Sequence, residues 1–301
     1  MSTDDAPNRP EDIFPFLHLP YLPRKELFEY MSPSALVAVY QTCSTAHHLF
    51  PPLAGTVSIH YDLRKPLLHV ESFHSNQKSV LPFIAFKSLR KIFTILELED
   101  VYVEIDENED YTPLMEFLKS YGRCRTMKIC SKNEDYCLNM EDLQDLLGGF
   151  QFVKKVEFGV QIENWPSGSP RFLKSAVVDI SDGTALDRRD IRRITRGSKE
   201  VRINSSRLSD KSFNFILLDW LHGRNKTLRY LEITARDATE RQGRRILNGI
   251  RFRMGNGGTF QPKYLKEMVR FHTGWDVERE SDGRRATIVS TRKKFRFIVW
   301  D

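Results

Sequence analysis

The chain has 301 residues, 40% apolar and 11% aromatic, enough to bury one large core or two modest ones. It contains no run of about eighteen apolar residues, and its first residues, MSTDDAPNRPEDI, are acidic where a secretory signal is basic and then apolar. These features argue against a membrane span and for the cytosol or nucleus. The net charge of +6 conceals an asymmetry: residues 1–150 carry 14 Lys/Arg against 22 Asp/Glu, net −8, and residues 151–301 carry 32 against 18, net +14. Such an excess in the C-terminal half favours an acidic or phosphorylated partner there.

Residues 1–12 read as a disordered tail. Residues 14–51 then pack short apolar helices into a segment too small to offset its own backbone entropy, so its apolar faces need another surface. Leu27, Tyr30 and Met31 recur at helical spacing, and Leu36, Val37 and Tyr40 repeat the offset. Pro33 can open the second helix with Ser32 as its cap, while Pro20 and Pro23 keep the preceding segment extended. An amphipathic hairpin in an ordinary core is the alternative reading of this spacing.

The set Leu19-Pro20, Leu22, Leu27, Met31, Pro33, Leu36-Val37 and Cys43-Ser44 resembles an F-box of the form found in nematode F-box proteins. The chain departs from that family after Ser44, with Thr45-Ala46-His47-His48 where basic residues are usual. The resemblance covers residues 13–58. It implies that Leu19, Pro20, Leu22, Leu27, Met31, Leu36 and Val37 bind a Skp-type adaptor and, through it, a cullin.

Residues 59–150 read as a linker and the start of a repeat-like α/β region. An acidic run from Glu97 to Asp110 reads as a solvated face. Cys43, Cys124, Cys130 and Cys137 match neither a disulfide framework nor a metal-ligand spacing and are expected to be reduced thiols. Strands are expected at 91–98, 126–130, 155–160, 175–180, 200–203 and 229–233, a spacing that suits an irregular solenoid. Helices fit at 113–120, 140–147, 187–195 and 212–222. The last has a wide stripe of Phe213, Ile216, Leu217, Trp220 and Leu221, a start at Ser209 or Asp210 and an end at Gly223. Arg188, Arg189, Arg192, Arg193 and Arg196 on the third helix are candidates for gripping an acidic or phosphorylated target, since guanidinium groups pair with such anions in a fork.

Gly255-Asn256-Gly257-Gly258 reads as a flexible loop, because no Gly-Lys-Ser/Thr follows it. Strands at 275–280 and 285–290 flank Asp282-Gly283, a hairpin turn signal. A third strand at 295–300 completes a meander and is apolar enough on both faces to be covered twice.

A second resemblance covers residues 151–301. Ser206-Arg207-Leu208-Ser209, Phe213-Asn214-Phe215-Ile216, Trp220, Asn225, Leu228 and Leu231-Glu232-Ile233, followed by Gly274-Trp275-Asp276-Val277-Glu278-Arg279, Asp282-Gly283, Ala286-Thr287-Ile288 and Val299-Trp300, look like the type 2 F-box-associated domain. Together the two resemblances imply an α+β protein. A small helical F-box would precede an irregular leucine-rich-repeat-like α/β array that ends in a β-meander. They imply a non-catalytic substrate receptor of an SCF-type ubiquitin ligase. No motif for a catalytic centre, cofactor or metal appears, His47-His48 having no partners at metal spacing apart from Cys43. A nucleic-acid-binding protein using the basic half, or a scaffold with a vestigial F-box, are the alternatives. Against the former, the basic residues are not interleaved with exposed aromatics or set in a known reading motif, so nucleic acid is not an expected partner.

Overall fold

The structure, a computed structural model, describes residues 35, 55–61, 67–72, 78–82, 96–105, 116, 123–133, 136–139, 152–163, 175–236, 243–265 and 267–300. The F-box positions, Leu19, Pro20, Leu22, Leu27, Met31, Leu36 and Val37 included, lie outside the described residues. So do nearly all of the helices expected at 113–120 and 140–147.

Elements follow in the order β1 (Gly55–Tyr61), β2 (Leu67–Ser72), β3 (Lys78–Pro82), β4 (Leu96–Ile105), β5 (Arg123–Ser131), β6 (Cys137–Asn139), β7 (Phe152–Phe158), β8 (Gln161–Glu163) and β9 (Val177–Ile180). Then come α1 (Arg188–Gly197), β10 (Glu200–Ser206), α2 (Asp210–Leu221), β11 (Tyr230–Ala235), α3 (Gly243–Ile246), β12 (Arg253–Phe260), β13 (Val269–Glu278), β14 (Arg285–Ser290) and β15 (Lys294–Val299). The chain divides into two compact units, Met1–Ser58 with Leu67–Glu97, and Ile59–Pro66 with Leu98–Asp301. In the first, β2 and β3 form an antiparallel hairpin.

The second unit is built on a mixed sheet. Strands β4, β5, β7, β9, β10 and β11 lie parallel and side by side in chain order, with β6 and β8 paired apart from them. From β11 the sheet turns antiparallel through β15, β14, β13 and β12. The protein is thus α+β, with one large sheet and few helices among the described residues.

The parallel strands share one pattern, a polar residue between two apolar ones. Val101 and Val103, Met127 and Ile129, Val156 and Phe158, Val178 and Ile180, Val201 and Ile203, and Leu231 and Ile233 all have no exposed surface. Because side chains alternate across a strand, these pairs line one face and the residues between them the other. Helix α2 covers part of the apolar face. Phe213 stacks on Phe295 with ring centroids 4.3 Å apart, and Trp220 meets Phe297 edge-on at 5.1 Å. Strand β15 is indeed covered on both faces, since Ile298 packs on the opposite side with Tyr230, Val269, Phe271 and Val289.

Local chemistry sets the helix ends. Asp187 caps α1, accepting from the backbone N–H groups of Arg189 and Asp190, while Asp190 accepts from the Asp187 backbone in return. Ser209 caps α2 with no side-chain bond to the helix backbone, so that start rests on main-chain geometry rather than the expected hydroxyl cap. Gly223, at φ +72°, ends it as expected.

Three expectations need correction. The strand expected at 91–98 lies at β4, so part of the acidic run is not a solvated surface but a strand whose Val101, Val103 and Ile105 are buried. The 275–280 strand begins earlier, at Val269. The Gly255–Gly258 segment is not a loop but the middle of β12. A side chain at Gly257 would come within 2.6 Å of the carbonyl oxygens of Phe271 and His272, and one at Gly274 within 2.6 Å of Thr287 Cγ2. Glycine is needed there because the strands approach too closely for a Cβ, and close approach outweighs its low strand preference.

Phe213→Ala is expected to destabilise the second unit by about 3–5 kcal/mol, because a buried ring that stacks on Phe295 leaves a cavity beneath the sheet. A fall in the urea midpoint of the fluorescence transition, at unchanged slope, measures it.

Candidate docking surface

The polar residues of the repeated pattern form a continuous row. The register aligns Tyr102, Lys128, Glu157, Asp179, Arg202, Glu232 and Arg296 as direct neighbours across β4, β5, β7, β9, β10, β11 and β15. Every charge in the row has an opposite charge or an aromatic ring within reach. Lys128 lies 5.9 Å from the Tyr102 ring centre, and Glu157 pairs with Lys155 on its own strand. Arg202 sits between Asp179 and Glu232, 3.8 Å from each, and reaches Glu267 at 2.5 Å.

Glu232 is the most enclosed member. It accepts from Arg296 Nε at 2.6 Å and from the Tyr230 hydroxyl at 2.8 Å, with Lys294 at 3.5 Å. Burial acts to raise its pKa, but the Arg296 and Tyr230 bonds outweigh burial and hold it below the ordinary glutamate value. The Tyr230 phenol is pushed up by burial and by the neighbouring Glu232 carboxylate, so it stays a donor. Toward the meander, the residues after β12 fold over this face. Glu200, itself buried, accepts from the backbone N–H groups of Lys263, Tyr264 and Leu265.

The residues of the two C-terminal sequence strings meet in space. Arg279 has no exposed surface, yet its guanidinium grips the Asp282 carboxylate at 2.8 and 2.6 Å, donates to the Asn225 carbonyl at 3.0 Å, and lies 4.5 Å from the Trp220 ring centre. The Asn225 side chain accepts from the Leu228 N–H. The hydrogen bond from Arg279 lowers the Asp282 pKa to about 2. A second chain runs from Trp300 Nε1 to the Thr287 hydroxyl at 2.8 Å and from that hydroxyl to Asp276 at 2.6 Å. These groups hold the turn and the strands of the meander in place.

The five arginines expected to face a target have mostly internal duties. Arg192 and Arg196 both bond to Asp219, which is 5% exposed, and Arg224 approaches it at 3.6 Å. Burial raises the Asp219 pKa, but the two guanidinium groups outweigh it and leave it lowered. Arg193 pairs with Asp190, and Arg188 and Arg192 lie 5.2 Å from the Phe215 ring centre. Arg188 and Arg189 are exposed on the α1 surface. Helix α1 is therefore tied to α2 by charge, with Arg188 and Arg189 exposed and Arg196 exposed while still bonded to Asp219.

Burial pushes the Cys124 thiol up to about 12, so it is protonated at neutral pH, and Cys130 is raised for the same reason. Neither forms a disulfide. Among the described residues no helix is long and apolar enough to cross a membrane. The charged row escapes a motif search because its members are far apart in sequence. The signal that marks them is the repeated apolar–polar–apolar triplet, which a strand-by-strand alignment of the chain with itself would find. Neither a family model nor a curated protein matches the chain.

Removing Glu232 leaves Arg296 without its closest carboxylate, so Glu232→Ala is expected to cost about 3 kcal/mol or more in urea denaturation. Asp282 titrates lower in the folded chain than the roughly 3.9 of an unfolded aspartate. Its contribution is complete above that value and is lost as pH falls toward about 2. Over that window, wild-type stability should fall more steeply with acid than that of Asp282→Asn, as measured by thermal melts at stepped pH.

Proposed function

We propose that the chain is a substrate-recognition subunit of an SCF-type cullin–RING ubiquitin ligase, with residues 13–58 acting as an F-box and residues 151–301 as a type 2 F-box-associated domain. The observation that carries this reading is the Arg279 cluster. The residues that give the C-terminal half its resemblance lie in two strings more than forty positions apart, and Trp220 and Asn225 of one contact Arg279 of the other. Letters that form one structural lock are what a domain signature consists of, whereas chance matches have no reason to touch.

The parallel strands, stacked in chain order and starting at residues 96, 123, 152, 177, 200 and 230, support a leucine-rich-repeat-like array. The charged row, half-exposed from Tyr102 to Arg202, then offers a face of both signs on which a target can be read by charge. Exposed Arg188 and Arg189 extend the positive surface available to an acidic or phosphorylated segment. In this reading the chain breaks no bond. Leu19, Pro20, Leu22, Leu27, Met31, Leu36 and Val37 insert into a Skp-type adaptor bound to a cullin, in the cytosol or nucleus. The receptor raises the local concentration of its target beside the charged ubiquitin-carrying enzyme. Nucleic acid is the weaker partner class, because Arg192, Arg196, Arg279 and Arg296 are held by the chain's own carboxylates and the exposed cations form no known reading motif.

Full-length protein purified under native conditions is expected to retain a Skp-type adaptor. The double substitution Leu27→Ala with Leu36→Ala is expected to abolish that retention, each deep anchor contributing on the order of 2 kcal/mol. The C-terminal melting transition should be unchanged. Absence of any adaptor from the wild-type preparation would overturn the ligase reading and leave a scaffold with a vestigial F-box.

A further inference from the structure

We propose that the outer edge of β12 accepts an extended peptide as an added strand, and that this peptide alternates acidic with apolar side chains. Strand β12 ends the sheet, with β13 its paired neighbour among the described residues. Natural sheets blunt such an edge with proline, a bulge, short length, charged side chains or a covering segment, and of these β12 carries the charge of Arg253. Here the edge runs over eight residues, without proline and in unbroken register from Arg253 opposite Asp276 to Phe260 opposite Val269.

Its side chains define the occupant. Gly255, Gly257 and Gly258 leave the middle of the strand bare, so another backbone can come close. Phe252 and Met254 are 48% and 68% exposed, which with Met268 makes them the exposed large apolar residues among those described. Within β12, Met254 and Arg253 fall on opposite sides of the strand, and Phe252 and Arg251 precede it. Both arginines are exposed and make no ion pair among the described residues. Of the carboxylates beside them, Glu278 pairs with Arg285 and Asp276 accepts from Thr287, while Glu280 lines the same hollow. A strand laid on this edge therefore meets Met254 on one side and Arg253 on the other, with exposed Phe252 and Arg251 just before the strand. Opposite charges and apolar pairs across neighbouring strands stabilise the pairing.

A second copy of the chain fits the same edge poorly. Antiparallel pairing centred on Gly257 sets Arg251 of one copy opposite Lys263 of the other, twice over, and like charges directly opposite oppose pairing. As a peptide site, the edge stands independently of adaptor docking. As the target class of a ligase receptor, it rests on the reading above.

The test uses full-length protein and a fluorescein-labelled peptide of about eight residues that alternates glutamate and valine, followed by fluorescence anisotropy. Binding should weaken at least about tenfold in the Arg251→Glu/Arg253→Glu variant and in Met254→Lys. Peptides N-methylated on one or the other alternate set of backbone amides give the strand-specific readout. One set should lose binding and the other should keep it, because in an added edge strand only every second N–H faces the host. The site is overturned if the peptide does not bind, if both methylated sets bind alike, or if the double reversal binds as well as wild type. Concentration-dependent dimerisation of the free chain, lost in Met254→Lys, would assign the edge to a second copy and equally overturn the peptide site. Adaptor retention by the wild-type chain is read in parallel. In the wild-type chain, absence of peptide binding with adaptor retained refutes this site alone, and peptide binding without adaptor refutes the ligase reading alone.

Discussion

A guanidinium with no solvent contact must be neutralised where it lies, and the C-terminal meander is arranged around that requirement at Arg279. Its charge is met by the Asp282 carboxylate, one further N–H by the Asn225 carbonyl, and its flat face by the Trp220 ring. Those three partners belong to a hairpin turn, to the loop before β11 and to α2. Fixing the turn fixes the β13–β14 register, which in turn sets β14 against β15 and β15 against β11. The antiparallel strands are thereby attached to the end of the parallel array. Taking an arginine out of water is costly unless all its partners are present, so the arrangement penalises any partly assembled alternative.

The same economy explains where the positive charge of the C-terminal half resides. An excess of basic residues suggests an open cationic surface, yet Arg192, Arg196, Arg202, Arg279 and Arg296 each face a carboxylate. Their partners Asp219 and Glu232 are buried and kept ionised by them. What remains for recognition is a dispersed set of exposed cations, among them Arg188 and Arg189 on α1, Arg224 and Lys226 before β11, Arg244 and Arg245 on α3, and Arg251 and Arg253 at the start of β12. The charged row across the sheet is a different kind of surface, carrying both signs, and suits selection of a matched partner more than attraction of any polyanion.

Much of the fold is legible in the chain. The strands at β5, β7, β9, β10, β11, β14 and β15 follow from short apolar runs bounded by turn residues, and α2 from its helical stripe. The misplaced elements share a cause. Around β4 the apolar positions are interspersed with acids that suggest solvent, and only the buried positions Val101 and Val103 between neighbouring strands reveal a sheet member. In β12 the glycines suggest a loop, because local preference cannot register that two strands approach too closely for a side chain. The arginine-rich helix was legible as a helix, while the destination of its charges was not, since Asp219 lies on another element.

By itself the sequence determines the class of the protein, the alternation that gives the sheet one apolar and one polar face, and the letters that resemble an F-box and its associated domain. Alternation and helical spacing are local, set by backbone geometry over a few residues. Tertiary structure decided which polar residues stand in one row, that Arg279 and Asp219 are buried ionic centres, and that β12 ends the sheet with its outer edge unpaired among the described residues. Those outcomes depend on strand order and register, which bring together residues far apart in the chain, and no local pattern encodes which distant partner a charge will find.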